Sequence, residues 1–165
     1  MLRRYSDVLT SFGPAGVKER AVTAIVSGNR DRETMEQQRI RYAAYDGRLT
    51  DLGAGAPVSF MPLISDNWNN HFSWDGQGPM PEDERAQLRE IVETAHADHQ
   101  RIRFWATPDL PSPEREAIWH ELLAERVDLL NTDHLTDLSD FLNAHDPDPS
   151  TPYVTWPDSR RVGPR

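Results

Sequence analysis

Apolar and polar positions alternate along this chain in two rhythms, one near 3.6 residues and one near 2, and the places where they switch outline a βα series. Leu2, Tyr5, Val8, Leu9 and Phe12 share one helical face, so the spacing predicts a helix over Leu2–Phe12 that Gly13-Pro14 stops. Ala21–Val26 is a short β-branched run closed by Ser27-Gly28-Asn29-Arg30, and a polar helical piece follows over Asp31–Gln38. Ile40–Tyr45 and Val58–Ile64 read as the next two strands, with Pro62 arguing against full ladder bonding in the second. Asp66–Pro79, rich in Asn, Gly and aromatic residues, reads as a long loop, long enough to act as a lid.

Pro81-Glu82-Asp83-Glu84 carries the marks of a helix start, and Leu88, Ile91, Val92 and Ala95 give that helix a buried stripe up to about Asp98. Ile102–Ala106 is the fourth strand. Ser112-Pro113-Glu114 opens another helix, with Ile118, Leu122 and Leu123 inward, before a fifth strand at Val127–Leu130. Leu135, Leu138, Phe141 and Leu142 mark the last helix, and a Pro-rich tail, residues 146–165, reads as flexible, leaving 1–145 as the folded part. Five strands, four of them followed by helical material, with apolar runs too continuous for a sheet open on one side, predict an α/β fold with a parallel sheet. An open doubly wound sheet and an arc of a (β/α)₈ barrel both satisfy the pattern. A whole barrel, which takes about 250 residues, does not fit in 165.

Charge and composition remove several functions. A net charge of −9 with no clustered Arg argues against nucleic acid as a partner, and the lack of cysteine removes thiolate chemistry and Cys-based zinc sites. Lys18 is the sole lysine and no Gly-rich phosphate loop carries it, so P-loop nucleotide hydrolysis is out. No apolar run is long enough to span a membrane and no signal peptide is visible, so the chain as written is expected in the cytoplasm.

In a parallel sheet the residues just after each strand converge on one rim. Ser27, Asn29, Asp46, Asp66, Asn67, Trp68, Trp105, Thr107, Asn131 and Asp133 are the substrate-binding candidates on that rule. Asp, Asn and Ser at such places also serve as turn formers and helix caps, and a tryptophan there is as readily core. Of the six histidines, His96, His99 and His120 fall on helices or their ends and read as surface residues; His71 and His134 lie in loops, without metal-ligand spacing.

Arg103-Phe104-Trp105-Ala106-Thr107-Pro108-Asp109 and Val127-Asp128-Leu129-Leu130-Asn131-Thr132-Asp133, with Ala24–Arg30, Arg41–Gly47 and Pro62–Trp68 in support, resemble the glycerophosphodiester phosphodiesterase and phosphatidylinositol-specific phospholipase C-like superfamily. The resemblance runs from about Ala21 to Leu142, within the branch named for altered inheritance of mitochondria protein 6. It implies a partial TIM-type barrel whose five strands correspond to strands four to eight, and a small phosphodiester substrate walled by Trp105. It places the acid/base histidines and acidic metal ligands on the first three strands, which nothing here matches, so no catalytic or metal-binding residue is carried over.

The expectation is therefore the carboxyl-terminal portion of a phosphoric diester hydrolase of lipid metabolism, inactive by itself. Its cofactor, a divalent calcium or magnesium ion, would belong to a full-length parent whose compartment, secretion included, stays open. The alternative is a non-catalytic α/β binding or assembly module, or one half of a split barrel, with an open sheet edge for self-association or a complementing half.

Overall fold

A computed structural model describes residues 1–154; residues 155–165, the larger part of the predicted tail, lie outside the described residues. A small antiparallel hairpin, β1 (Ser11–Gly13) and β2 (Gly16–Lys18), precedes a parallel sheet built from β3 (Ile25–Val26), β4 (Ala44–Gly47), β5 (Leu63–Asn67), β6 (Arg101–Trp105) and β7 (Leu129–Leu130). The helices are α1 (Arg32–Gln37), α2 (Glu82–Ala97), α3 (Pro113–Ala124) and α4 (Leu135–His145). Strand order in the sheet is β3-β4-β5-β6-β7, the order of the sequence, and every pairing is parallel.

Local chemistry sets the helix starts. Asp31 caps α1 by accepting from the Thr34 amide at 3.0 Å, and Ser112 caps α3 by accepting from the Arg115 amide at 3.2 Å, with Pro113 in the first turn. The two longest helices end alike. The amide of Gln100 donates to Ala95 O and that of Val127 to Leu122 O, each at 2.8 Å, while His99 (φ 58°) and Arg126 (φ 63°) take the left-handed turn between helix and strand. A side chain at such a cap costs about 1 kcal/mol relative to glycine.

Ile64, Ile102 and Phe104 meet Leu88, Ile91, Val92 and Ala95 of α2 and Ile118 and Leu122 of α3 in the main core. The other sheet face differs from expectation. Along β6, Ile102 and Phe104 are buried but Arg101, Arg103 and Trp105 are half-exposed, so this strand alternates rather than running apolar throughout. Strand β4, by contrast, is buried on both faces.

Three further expectations change. The Leu2–Phe12 helix is only a 3₁₀ turn over Leu2–Tyr5, because Phe12 is drawn into strand pairing: its amide and carbonyl both bond Arg41 at 2.9 Å, and its ring lies under the Arg41 guanidinium. Pro62 does not sit inside a strand. It precedes β5, and its carbonyl accepts from the Arg101 amide at 2.9 Å.

The third change concerns the 66–79 loop, which is not a lid: Trp68, Phe72 and Trp74 are buried in the core, and the Glu84 carboxylate holds the Ser73 and Trp74 amides at 2.9 and 3.0 Å. Gly76, at φ 97°, lies so close to α3 that an added Cβ would stand 2.3 Å from Glu114 O. Gly76→Ala is expected to cost about 3 kcal/mol from backbone strain and overpacking, read as a lowered urea midpoint at unchanged m. Beyond α4, Val154 is buried and the Arg126 guanidinium lies 5.8 Å from the Tyr153 ring.

Candidate functional site

Parallel partners share a face, so the register Asp46↔Leu63, Ser65↔Arg103, Asn67↔Trp105 and Arg103↔Leu129 puts Asp46, Ser65, Asn67, Arg103 and Trp105 on the side away from the helices. Asp46 is 1% exposed and heavily engaged: it accepts from Ser27 Oγ, from Ser65 Oγ at 2.7 Å and from Arg48 Nη1 at 3.0 Å. Arg48 Nη1 also donates to the Gly47 and Ser65 carbonyls at 2.9 and 3.0 Å, and Arg30 donates to the Asp46 carbonyl while lying 4.8 Å from the Tyr45 ring. Farther across, Asn131 Oδ1 accepts from Arg103 Nε at 3.1 Å and from Arg103 Nη2. Ser27, Asp46, Ser65, Arg103 and Asn131 thus make a polar band across all five strands. Trp105 stands beside it, nearer the carboxyl end of β6.

Not every candidate joins this band. Asp66 points to the helix side, opposite Phe104, where it accepts from the Leu49 and Asn67 amides at 3.1 and 2.8 Å. His71 Nε2 comes within 3.3 Å of Asp66 Oδ2 without the alignment of a hydrogen bond. Trp68 is fully buried, donates to Trp74 O at 2.8 Å and stacks on Phe72 with centroids 4.1 Å apart, so it cannot wall an open pocket. Thr107 is buried, Asn29 and Asp133 are exposed, and Asn67 bonds the Asn69 amide at 3.0 Å. Asn69 in turn donates to the carbonyl of Ala106 at 2.9 Å; Ala106 is a left-handed residue (φ 62°) at the end of β6.

A second cluster joins the loops after β6 and β7. The Thr132 hydroxyl, at 2.6 Å, holds the Asp109 carboxyl below its ordinary value, helped by the Asp133 amide at 3.1 Å and the nearby His134 and Arg115 charges. For an acid shifted this way, the associated stability is present above pH about 4 and fades as pH falls through the lowered value. Among the described residues no group of three or more His, Asp or Glu is placed to hold a metal ion. Asp46 is spent on Arg48 and two serines and Asp66 on two amides, so this pair does not fit a calcium or magnesium site.

Sequence reasoning about loop ends missed Arg103, Arg30 and Arg48. Arg103 lies within a strand, and the signal that could have found it was β6's own alternation, Arg101 and Arg103 against Ile102 and Phe104.

The chain is similar to altered inheritance of mitochondria protein 6. The homolog of that name from Arthroderma benhamiae is 28% identical over 119 residues, covering 68% of this chain and 36% of the relative. Altered inheritance of mitochondria protein 6 from Kluyveromyces lactis is 30% identical over 66 residues, covering 39% of this chain and 16% of the relative. The matches thus span about a third or less of the length of these altered inheritance of mitochondria proteins. No protein-family model matches the chain, and no solved structure does.

Proposed function

We propose that this chain forms the substrate-side arc of a (β/α) barrel of the glycerophosphodiester phosphodiesterase and phospholipase C-like kind, and that it turns over no phosphodiester by itself. The observation that carries the reading is the strand order. A doubly wound sheet reverses direction at a switch point, whereas β3 to β7 advance one neighbour at a time, as strands around a barrel do. Helices cover one face, and the other presents Arg101, Arg103 and Trp105 half-exposed, the positions a closed barrel would turn inward. The similarity to altered inheritance of mitochondria protein 6 agrees with the branch that the sequence resemblance names.

Hydrolysis of a lipid-derived phosphodiester needs a proton donor, a proton acceptor and charge to stabilise the transition state. This arc supplies an aromatic wall and cations. The acid, the base and any calcium or magnesium ligands belong, on this reading, to further strands. Short outer strands at β3 and β7 would be the edges where those strands, or a second copy, pair.

Glycerophosphocholine and a chromogenic diester, each with and without calcium or magnesium, provide the assay. No turnover above the uncatalysed rate is expected from the chain alone; turnover that Trp105→Ala abolishes would sink the inactive-arc reading. A second reading, a binding or assembly module without chemistry, is favoured by Asp46, whose carboxylate is committed to Arg48, Ser27 and Ser65. Turnover appearing when a polypeptide carrying the preceding segment of a relative is added would exclude it.

A further inference from the structure

We propose that Arg103 is the anion-binding group of the open sheet face and that it takes a phosphate through the guanidinium edge that Asn131 leaves free. The location rests on the barrel reading above, but the claim concerns equilibrium binding, which this chain can be asked to show without any turnover.

A guanidinium carries five N–H donors in one plane, arranged as two edges that each suit a pair of acceptors. Asn131 Oδ1 occupies the Nε and Nη2 side, so the plane is fixed and the Nη1–Nη2 end remains. That end matches two oxygens of a phosphate in a bidentate contact. The identity of residue 131 matters: an asparagine orients the group without cancelling its charge, as an aspartate would.

Five of the other arginines make the contrast, while Arg30 and Arg41 bond backbone carbonyls with their guanidinium groups set against the rings of Tyr45 and of Phe12 and Phe60. Arg32, Arg48, Arg85, Arg89 and Arg115 all pair with carboxylates, at 2.7 to 3.0 Å. Arg103 instead pairs with a neutral partner, on a chain whose net charge is −9, and it is half-buried, where water screens it less than at the surface. Ser65, its register neighbour, spends its hydroxyl proton on Asp46, and Trp105, two residues along the same face, stands toward the carboxyl end. An oriented, unneutralised cation beside an aromatic wall is what a phosphate group with an apolar or polyol substituent would meet.

Titration of the whole chain with inorganic phosphate, glycerol 3-phosphate and bis(p-nitrophenyl) phosphate, followed by calorimetry and thermal shift, tests this. Sodium chloride and sodium acetate at matched ionic strength are the controls. Saturable binding of at least one phosphate is expected, weaker by about tenfold or more in Arg103→Gln, and similarly weak in Arg103→Lys, which keeps the charge but not the fork. Asn131→Ala, which frees the guanidinium to rotate, should weaken binding about threefold and serves if the Arg103 variants fold poorly.

Acetate binding as tightly as phosphate would assign the position to a protein carboxylate and overturn the proposal. So would wild-type behaviour in both Arg103→Gln and Asn131→Ala, or no phosphate effect beyond that of chloride. Turnover of a diester by the chain would instead overturn the inactive-arc reading and leave Arg103 binding standing.

Discussion

Asp46→Ala should lower the free energy of unfolding by about 3–5 kcal/mol, the range for a buried ion pair left with one uncompensated partner. Asp46 is 1% exposed, and its carboxylate is the shared acceptor of Ser27, Ser65 and Arg48. Truncation strands a guanidinium whose side chain is 21% exposed, together with the buried Ser65 hydroxyl. Arg48 retains its bonds to the Gly47 and Ser65 carbonyls, which holds the loss toward the lower end. Urea denaturation read by circular dichroism gives the value directly. Asp46→Asn, which keeps an acceptor oxygen without the charge, should lose about half as much; equal losses for the two variants would mean that charge contributes nothing here.

Trp68→Ala is expected to cost about 3–5 kcal/mol for a different reason, a cavity. The ring is completely buried, stacks on Phe72 and meets Phe104 edge-on with centroids 5.5 Å apart. Its N–H closes the loop through Trp74 O. Trp68→Phe keeps most of the volume but leaves that carbonyl unpaired, so a loss of about 1–3 kcal/mol is expected. If both variants unfold at the wild-type midpoint, the 66–79 segment does not pack as described; a lid able to swing free would give that result.

Long, strongly periodic elements were legible in the chain. Leu88, Ile91, Val92 and Ala95 mark the buried stripe of α2, and Ser112-Pro113 starts α3 where the capping bond forms. Short strands were harder, because two residues of ladder leave little periodic signal: β3 and β7 are fragments of the runs that predict them. The amino-terminal helix failed where tertiary pairing with Arg41 outweighed local spacing. For the candidate site, the rule that polar residues after strands converge finds Ser27, Asp46 and Asn131, whose side chains do join the band. It misplaces Asp66 and Trp68, because β5 extends to Asn67 and a strand turns successive side chains to opposite faces.

The matching joints at His99 and Arg126 hand the chain from helix to neighbouring strand by the same step, so most ordered structure forms between segments that follow one another directly. Growth of this kind suits vectorial synthesis. Each helix–strand pair leaving the ribosome can settle on the pair already made, without waiting for the carboxyl terminus.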